Sequence, residues 1–160
     1  MTRPILTLVG LFLAAGAARA QDVLQEEDQR AILRLAFSPD GKLLASSGTD
    51  TLIRIWDVET KKVVAKLKGH TGEVHGITFS PDGKTLVSGD IFRNAKVWDL
   101  ATKKQVKTLE LPAPTYTMVF APDGKKVYVG SKEPWVFVWT LDAPADTEIP
   151  KLRSENEVFG

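Results

Sequence analysis

One spacing recurs through this chain and restricts its fold more than any other feature. Phe37-Ser-Pro-Asp-Gly41, Phe79-Ser-Pro-Asp-Gly83 and Phe120-Ala-Pro-Asp-Gly124 are followed, each after 19 residues, by Trp56, Trp98 and Trp139. The Phe-to-Phe steps are 42 and 41 residues. A period in this range marks stacked supersecondary units whose hydrophobic faces are buried only against their neighbours.

Within each unit the Pro-Asp-Gly tripeptide predicts a hairpin. Pro presets φ at the first corner, Asp bonds the turn backbone and Gly takes the positive-φ site. Four short strands per copy follow: one before the turn (Ala31–Phe37, Glu73–Phe79), one after it (Leu43–Ser47, Thr85–Gly89, Lys126–Gly130) and one carrying the Trp (Leu52–Val58, Ala95–Leu100, Trp135–Thr140). A fourth follows the Thr60-Lys-Lys62 and Thr102-Lys-Lys104 turns. Consecutive apolar residues, as in Trp135-Val-Phe-Val138, suit sheets covered on both faces.

The pattern FSPDGK…IRIWD and FSPDGK…KVWDL, with Gly69-His70 between, resembles the WD40 repeat, which implies an all-β fold of four-stranded β-propeller blades. The likeness runs over about residues 30–142 and is specific in the first two copies. The third departs from it, because Trp139-Thr140 lacks the Asp and Lys126-Val-Tyr-Val-Gly130 looks like the related YVTN-type repeats. Units are placed at 30–68, 69–110 and 111–142, after an acidic lead-in at 21–29 and before a polar tail at 143–160.

The resemblance implies a structural network of His, Ser, Asp and Trp in each blade. The first copy offers Ser46, Asp50 and Trp56, with Asp28 near the place of the His. The second offers His70, Ser88 and Trp98, with Phe92 at the Asp position six residues before Trp. The third keeps Trp139, with Glu133 at that position. The network is thus expected to be incomplete everywhere and the blades less rigid than well-formed ones. Asp57 and Asp99, after their Trp residues, are expected to cap turns.

Residues 1–20 have the three parts of a secretory signal peptide: Arg3, an apolar run of 13 residues from Ile5 to Ala17, and Ala18-Arg19-Ala20 before Gln21. The run falls short of the ~20 residues a spanning helix needs, so an exported chain without a stable membrane anchor is expected, periplasmic or extracellular. With 21 Lys+Arg against 20 Asp+Glu, the chain lacks the basic excess of a nucleic-acid binder. It has no Cys, which excludes disulfides and thiolate chemistry, and two His are few for a metal centre.

Propellers close with four to eight blades, and three copies leave two apolar faces uncovered. Three explanations stand side by side: part of a longer propeller, two chains completing a six-bladed ring, or an open array. Asp40, Asp82 and Asp123 belong to their turns, and neither a catalytic or metal site nor a cofactor is expected. His70 and His75 lack a third ligand at metal spacing. The positions where the copies differ are the candidate partner-binding residues: Ile91, Phe92 and Arg93 in the second copy, and Lys132 and Trp135 in the third. Aromatic and Arg residues on loops suit binding hot spots, although filling of gaps explains Phe92 and Trp135 equally well. The expected function is a non-catalytic scaffold binding a protein or peptide. The alternative is a piece of a larger exported propeller enzyme, lactonase-like or YVTN-type, or an accessory domain of a longer protein.

Overall fold

The computed structural model describes residues 31–144 and 147–153. The signal-peptide reading, the lead-in 21–29 and Asp28 lie outside the described residues. Among the described residues, twelve strands form three four-stranded antiparallel sheets. The first sheet is β1 (Ile32–Phe37), β2 (Leu43–Gly48), β3 (Ile53–Asp57) and β4 (Lys62–Leu67). The second is β5 (Val74–Phe79), β6 (Thr85–Asp90), β7 (Asn94–Asp99) and β8 (Lys104–Glu110). The third is β9 (Thr117–Phe120), β10 (Lys126–Gly130), β11 (Trp135–Thr140) and β12 (Lys151–Arg153). Each sheet is a meander with strands in chain order, which is the blade arrangement of a partial WD40-type propeller. No helix among the described residues is long and apolar enough to cross a membrane.

The innermost strands carry the contact between blades: β5 packs on β1 and β2, and β9 packs on β5 and β6. Ala45, Ile53, Ile55 and Leu67 of the first blade share a core with Ile77, Phe79, Leu86 and Trp98 of the second. Val87, Ala95, Val97 and Leu109 of the second share another with Met118, Phe120, Val127, Phe137 and Trp139 of the third. In both interfaces the Trp-bearing face of one blade meets the opposite face of the blade before it. Both faces of the second sheet are therefore covered, whereas in the third-blade run Trp135-Val-Phe-Val138 Phe137 is buried and Val136 is exposed.

The Pro-Asp-Gly turns have the expected chemistry. Gly41, Gly83 and Gly124 take φ of 71°, 71° and 69°. The Ser38 and Ser80 hydroxyls each donate to the following Asp40 and Asp82 carboxylates at 2.6 Å. These hydrogen bonds, together with the Lys42 and Lys84 backbone N–H groups, hold both carboxyls below the usual range.

The third blade extends further than its sequence suggests. The repeat places a fourth strand near 146–152, but eleven residues past Trp139, the count from Trp56 to Leu67, lands on Pro150, which suits only an edge position, and the segment 143–160 reads as a polar tail. The structure instead places β12 inside that segment and pairs Val136 with Leu152, as Ile53 pairs with Leu67 and Ala95 with Leu109. The longer connection after β11 shifts the register by two residues. Pro150 stands ahead of the strand, where it needs no N–H, and its carbonyl accepts from Val138 N at 2.8 Å.

Candidate interaction rim

In each blade the loop between second and third strands emerges at the end opposite the Pro-Asp-Gly turns. This end carries Ile91, Phe92, Arg93, Lys132 and Trp135, and what fixes its geometry is a buried polar chain in the second blade. Trp98 Nε1 donates to Ser88 Oγ at 2.8 Å, Ser88 Oγ lies 2.6 Å from His70 Nε2, and His70 Nδ1 donates to Asp90 Oδ2 at 2.9 Å. Trp98, Ser88 and Asp90 are all but inaccessible to solvent.

The network of the second blade is therefore complete, contrary to the expectation from spacing. The carboxylate comes from Asp90, eight residues before Trp98, while Phe92 at the motif position faces outward. A buried imidazole requires only that an acceptor reach Nδ1, and the end of β6 provides one as well as the loop does. The clue in the sequence was the acidic residue two positions after Ser88, opposite a His that needed a partner. Burial raises the Asp90 carboxyl, but hydrogen bonds from His70 and Asn94 and the His70 charge outweigh it, leaving the net shift downward.

Asp90 also holds the loop. Its Oδ1 accepts from Phe92 N at 3.0 Å and Asn94 N at 2.9 Å. Arg93 is held at φ 67°, its guanidinium pairs with Glu110, and its carbonyl accepts from Leu111 N at 2.7 Å. Phe92 is 59% exposed and its ring lies over Gly72, where a Cβ would come within 2.7 Å of it. It fills no gap in the core. Trp135, by contrast, is half-buried against the apolar core of the third blade.

A second group at the same end escaped the sequence reading. Lys132 Nζ lies 5.4 Å from the centre of the Tyr116 ring, and the His75 ring meets Tyr116 edge-on at 5.5 Å. His75 Nε2 lies 3.1 Å from Glu73 Oε2, and Arg34 Nη2 donates to the Tyr116 carbonyl at 2.8 Å. These residues come from all three blades, and no periodicity in the sequence connects them.

The other blades treat the same positions differently. In the first, Trp56 Nε1 donates to Ser46 Oγ at 2.8 Å, and Asp50 pairs with Arg54 at 2.6 Å. In the third, Leu111 and Val129 stand where His70 and Ser88 stand in the second, and both are buried in the core with Trp139. Glu133 is exposed there, its N–H donating to Ser131 Oγ at 3.0 Å. Asp57 and Asp99 each accept from a Thr backbone N–H and hydroxyl, all at 2.7 Å, through Thr60 and Thr102. Those bonds hold both carboxyls below the usual range.

Meander blades stacked along their inner strands, with a His–Ser–Trp clamp inside one of them, define a propeller-type repeat protein. The sequence profile of the "WD domain, G-beta repeat" family matches residues 21–57 and 61–99, so these two repeats are of the WD40 kind. The first match begins inside the segment read as a lead-in. The third blade lies outside both matches. The chain is 48% identical over 46 residues to the general transcriptional corepressor TUP1 of Saccharomyces cerevisiae, a stretch covering 29% of this chain and 6% of that protein. It is 38% identical over 66 residues to pre-mRNA-processing factor 19 homolog 2 of Arabidopsis thaliana, covering 41% and 12% respectively. Similarity to the human U5 small nuclear ribonucleoprotein 40 kDa protein is 31% over 49 residues, covering 31% and 14%. The chain thus spans a small part of the length of the relatives it matches.

Proposed function

We propose that this chain is an exported, non-catalytic platform whose rim of loops binds another protein or a peptide. The observation that carries the reading is Phe92, an exposed aromatic side chain on a loop whose backbone is fixed by buried Asp90. A rigid, solvent-facing aromatic beside Arg93 loses little entropy on binding, which suits a hot spot. Lys132 and the Tyr116–His75 pair extend the same end. One of the similar proteins is named as a corepressor and another as part of a ribonucleoprotein, which agrees with work inside assemblies. The export part rests on residues 1–20, and N-terminal sequencing of the secreted product should begin at Gln21.

Ser88, His70 and Asp90 stand at the distances of a Ser–His–Asp triad. A nucleophile must meet its substrate, however, and Ser88 is fully buried and accepts the Trp98 N–H. The chain of bonds works as a clamp.

Selection of binders from a displayed random-peptide library tests the reading. Peptides that bind this chain should lose at least tenfold in affinity to Phe92→Ala, with the melting temperature unchanged. Selected peptides indifferent to Phe92, Arg93 and Lys132 would place binding elsewhere.

A further inference from the structure

The rim has an apolar end and a cationic end, joined by a run of contacts. At the apolar end the Phe92 and Ile91 side chains lie over Gly72, where a Cβ would meet both. Ile91 N donates to the Glu73 carbonyl at 3.1 Å, and the Glu73 carboxylate lies 3.1 Å from His75 Nε2. The His75 ring meets the Tyr116 ring, and Lys132 Nζ stands over that same ring at the cationic end. Both ends sit on loops held by side chains. Asp90 accepts from Phe92 N two residues on, and Ser131 Oγ accepts from Glu133 N in the same pattern across Lys132. Tyr116 is pinned on two sides: its N–H donates to the Gly130 carbonyl at 2.9 Å, and its carbonyl accepts from Arg34 Nη2.

Lys132 differs from the charged groups around it. Glu73 is engaged by His75, Arg93 by Glu110 and Asp50 by Arg54. Lys132 makes no ion pair among the described residues, not even with the adjacent Glu133. An ammonium has three donors and no acceptor, and the Tyr116 ring meets only one side of it. Building on the binding role of the rim, we propose that the segment it takes is an acidic peptide. An apolar side chain of the partner seats on Phe92 and Ile91, and an Asp or Glu side chain pairs with Lys132 beside the Tyr116 ring. Phe92 anchors and Lys132 selects for charge. Tyr116 is a positioning residue: its ring holds the ammonium in place, so less side-chain entropy is lost on pairing than at a free surface lysine.

The test uses peptides selected on the full chain from a displayed random library, then made with amidated C termini so that side chains carry the only carboxylates. Those that need Phe92 should carry Asp or Glu at a constant offset from an aromatic or aliphatic residue. Lys132→Glu should weaken them about tenfold, and exchanging the peptide's acidic residue for Lys should recover most of that loss on the Lys132→Glu chain. Affinity for the parent should fall with added salt, and less steeply for Lys132→Met. Lys104→Glu makes the same charge change at the start of β8, at the opposite end, and should leave affinity unchanged. Both lysines are exposed, so the melting temperature should hold in each variant. Tyr116→Phe keeps the ring and should bind as the parent does, whereas Tyr116→Leu should bind about threefold more weakly. That loss should vanish in the Lys132→Met background. Peptides that depend on Phe92 but carry no acidic residue, or ignore Lys132→Glu, overturn the acidic partner and leave the rim reading standing. An equal loss with Lys104→Glu reduces the effect to net charge and overturns the contact. A Tyr116→Leu loss that persists without Lys132 overturns the positioning role. Binders indifferent to both Phe92 and Lys132 overturn the rim reading and the acidic partner with it.

Discussion

The second and third blades have the same strand order and bury the same Trp, yet they fill the space beside it in opposite ways. The second uses His70, Ser88 and Asp90, each with hydrogen-bond partners. The third sets Leu111 and Val129 at the His and Ser positions, with Phe137 where the second blade has Lys96. A satisfied polar chain and an apolar plug are both workable interiors, while a half-satisfied chain is worse than either. The polar solution also does something the apolar one does not: through Asp90 it fixes the Ile91–Arg93 loop. The first blade lies between, with the Ser46–Trp56 bond kept and Asp50 turned to Arg54.

The largest effect is expected where the two blades agree. Trp98→Ala should cost ~3–5 kcal/mol, and Trp139→Ala a comparable amount, since both rings are buried between blades. Thermal unfolding followed by circular dichroism measures this, and an unchanged melt for either would mean the ring is not packed there.

Asp90→Ala comes next, at about 3 kcal/mol, because it strands a buried imidazole and two loop amides. Ser131→Ala, the matching position in the third blade, should change stability by less than ~0.5 kcal/mol. Equal losses at the two sites would erase the contrast between the blades.

Transplanting the apolar solution sharpens it further. The triple variant His70→Leu, Ser88→Val, Asp90→Ser should lose less than the sum of its three single changes, since removing the three interacting groups together leaves fewer of them stranded than the single changes do, the Trp98 and loop N–H groups alone losing an acceptor. Simple additivity in chemical denaturation would show that the chain is not cooperative.

Acid gives a smaller, graded effect. The folded Asp90 carboxyl lies below its unfolded value, so its contribution is fully present above about pH 4, the ordinary Asp range, and is lost as pH falls through the folded value. Melting temperature should therefore drop below pH 4, and less steeply in Asp90→Asn. Identical pH profiles for the two proteins would remove Asp90 from the account.

The smallest effect is a gain at the joint between the blades. Thr115 is fully buried in the slot left by Gly76 and Gly89, which pair across β5 and β6, and its hydroxyl finds no partner among the described residues. Thr115→Val keeps the shape and removes the orphaned oxygen, so it should stabilise by about 1 kcal/mol. A destabilised variant would reveal a bond to that hydroxyl.

Much of the fold was legible because turn chemistry and strand alternation act locally. Pro-Asp-Gly marks a hairpin wherever it stands, and the third-blade strands Lys126–Gly130 and Trp135–Thr140 fall where the pattern predicts. The failures share a cause. Asp90 and Leu152 were both sought at a fixed count from Trp, yet hydrogen bonding needs only reach, and pairing follows the ladder rather than the length of the preceding loop. The Tyr116, His75, Lys132 and Arg34 group draws on segments more than 80 residues apart, which stacking alone brings together.

By itself the sequence determined the repeat, the strands within it and the Trp positions, because each depends on contacts within about 20 residues. The tertiary structure decided which carboxylate completes the clamp, which strand finishes the third blade, and that Phe92 faces solvent while Trp135 packs inward. It also decided the fate of three identical Phe landmarks: the chemistry is the same at each, but burial belongs to the neighbouring blade, and Phe37 has none among the described residues.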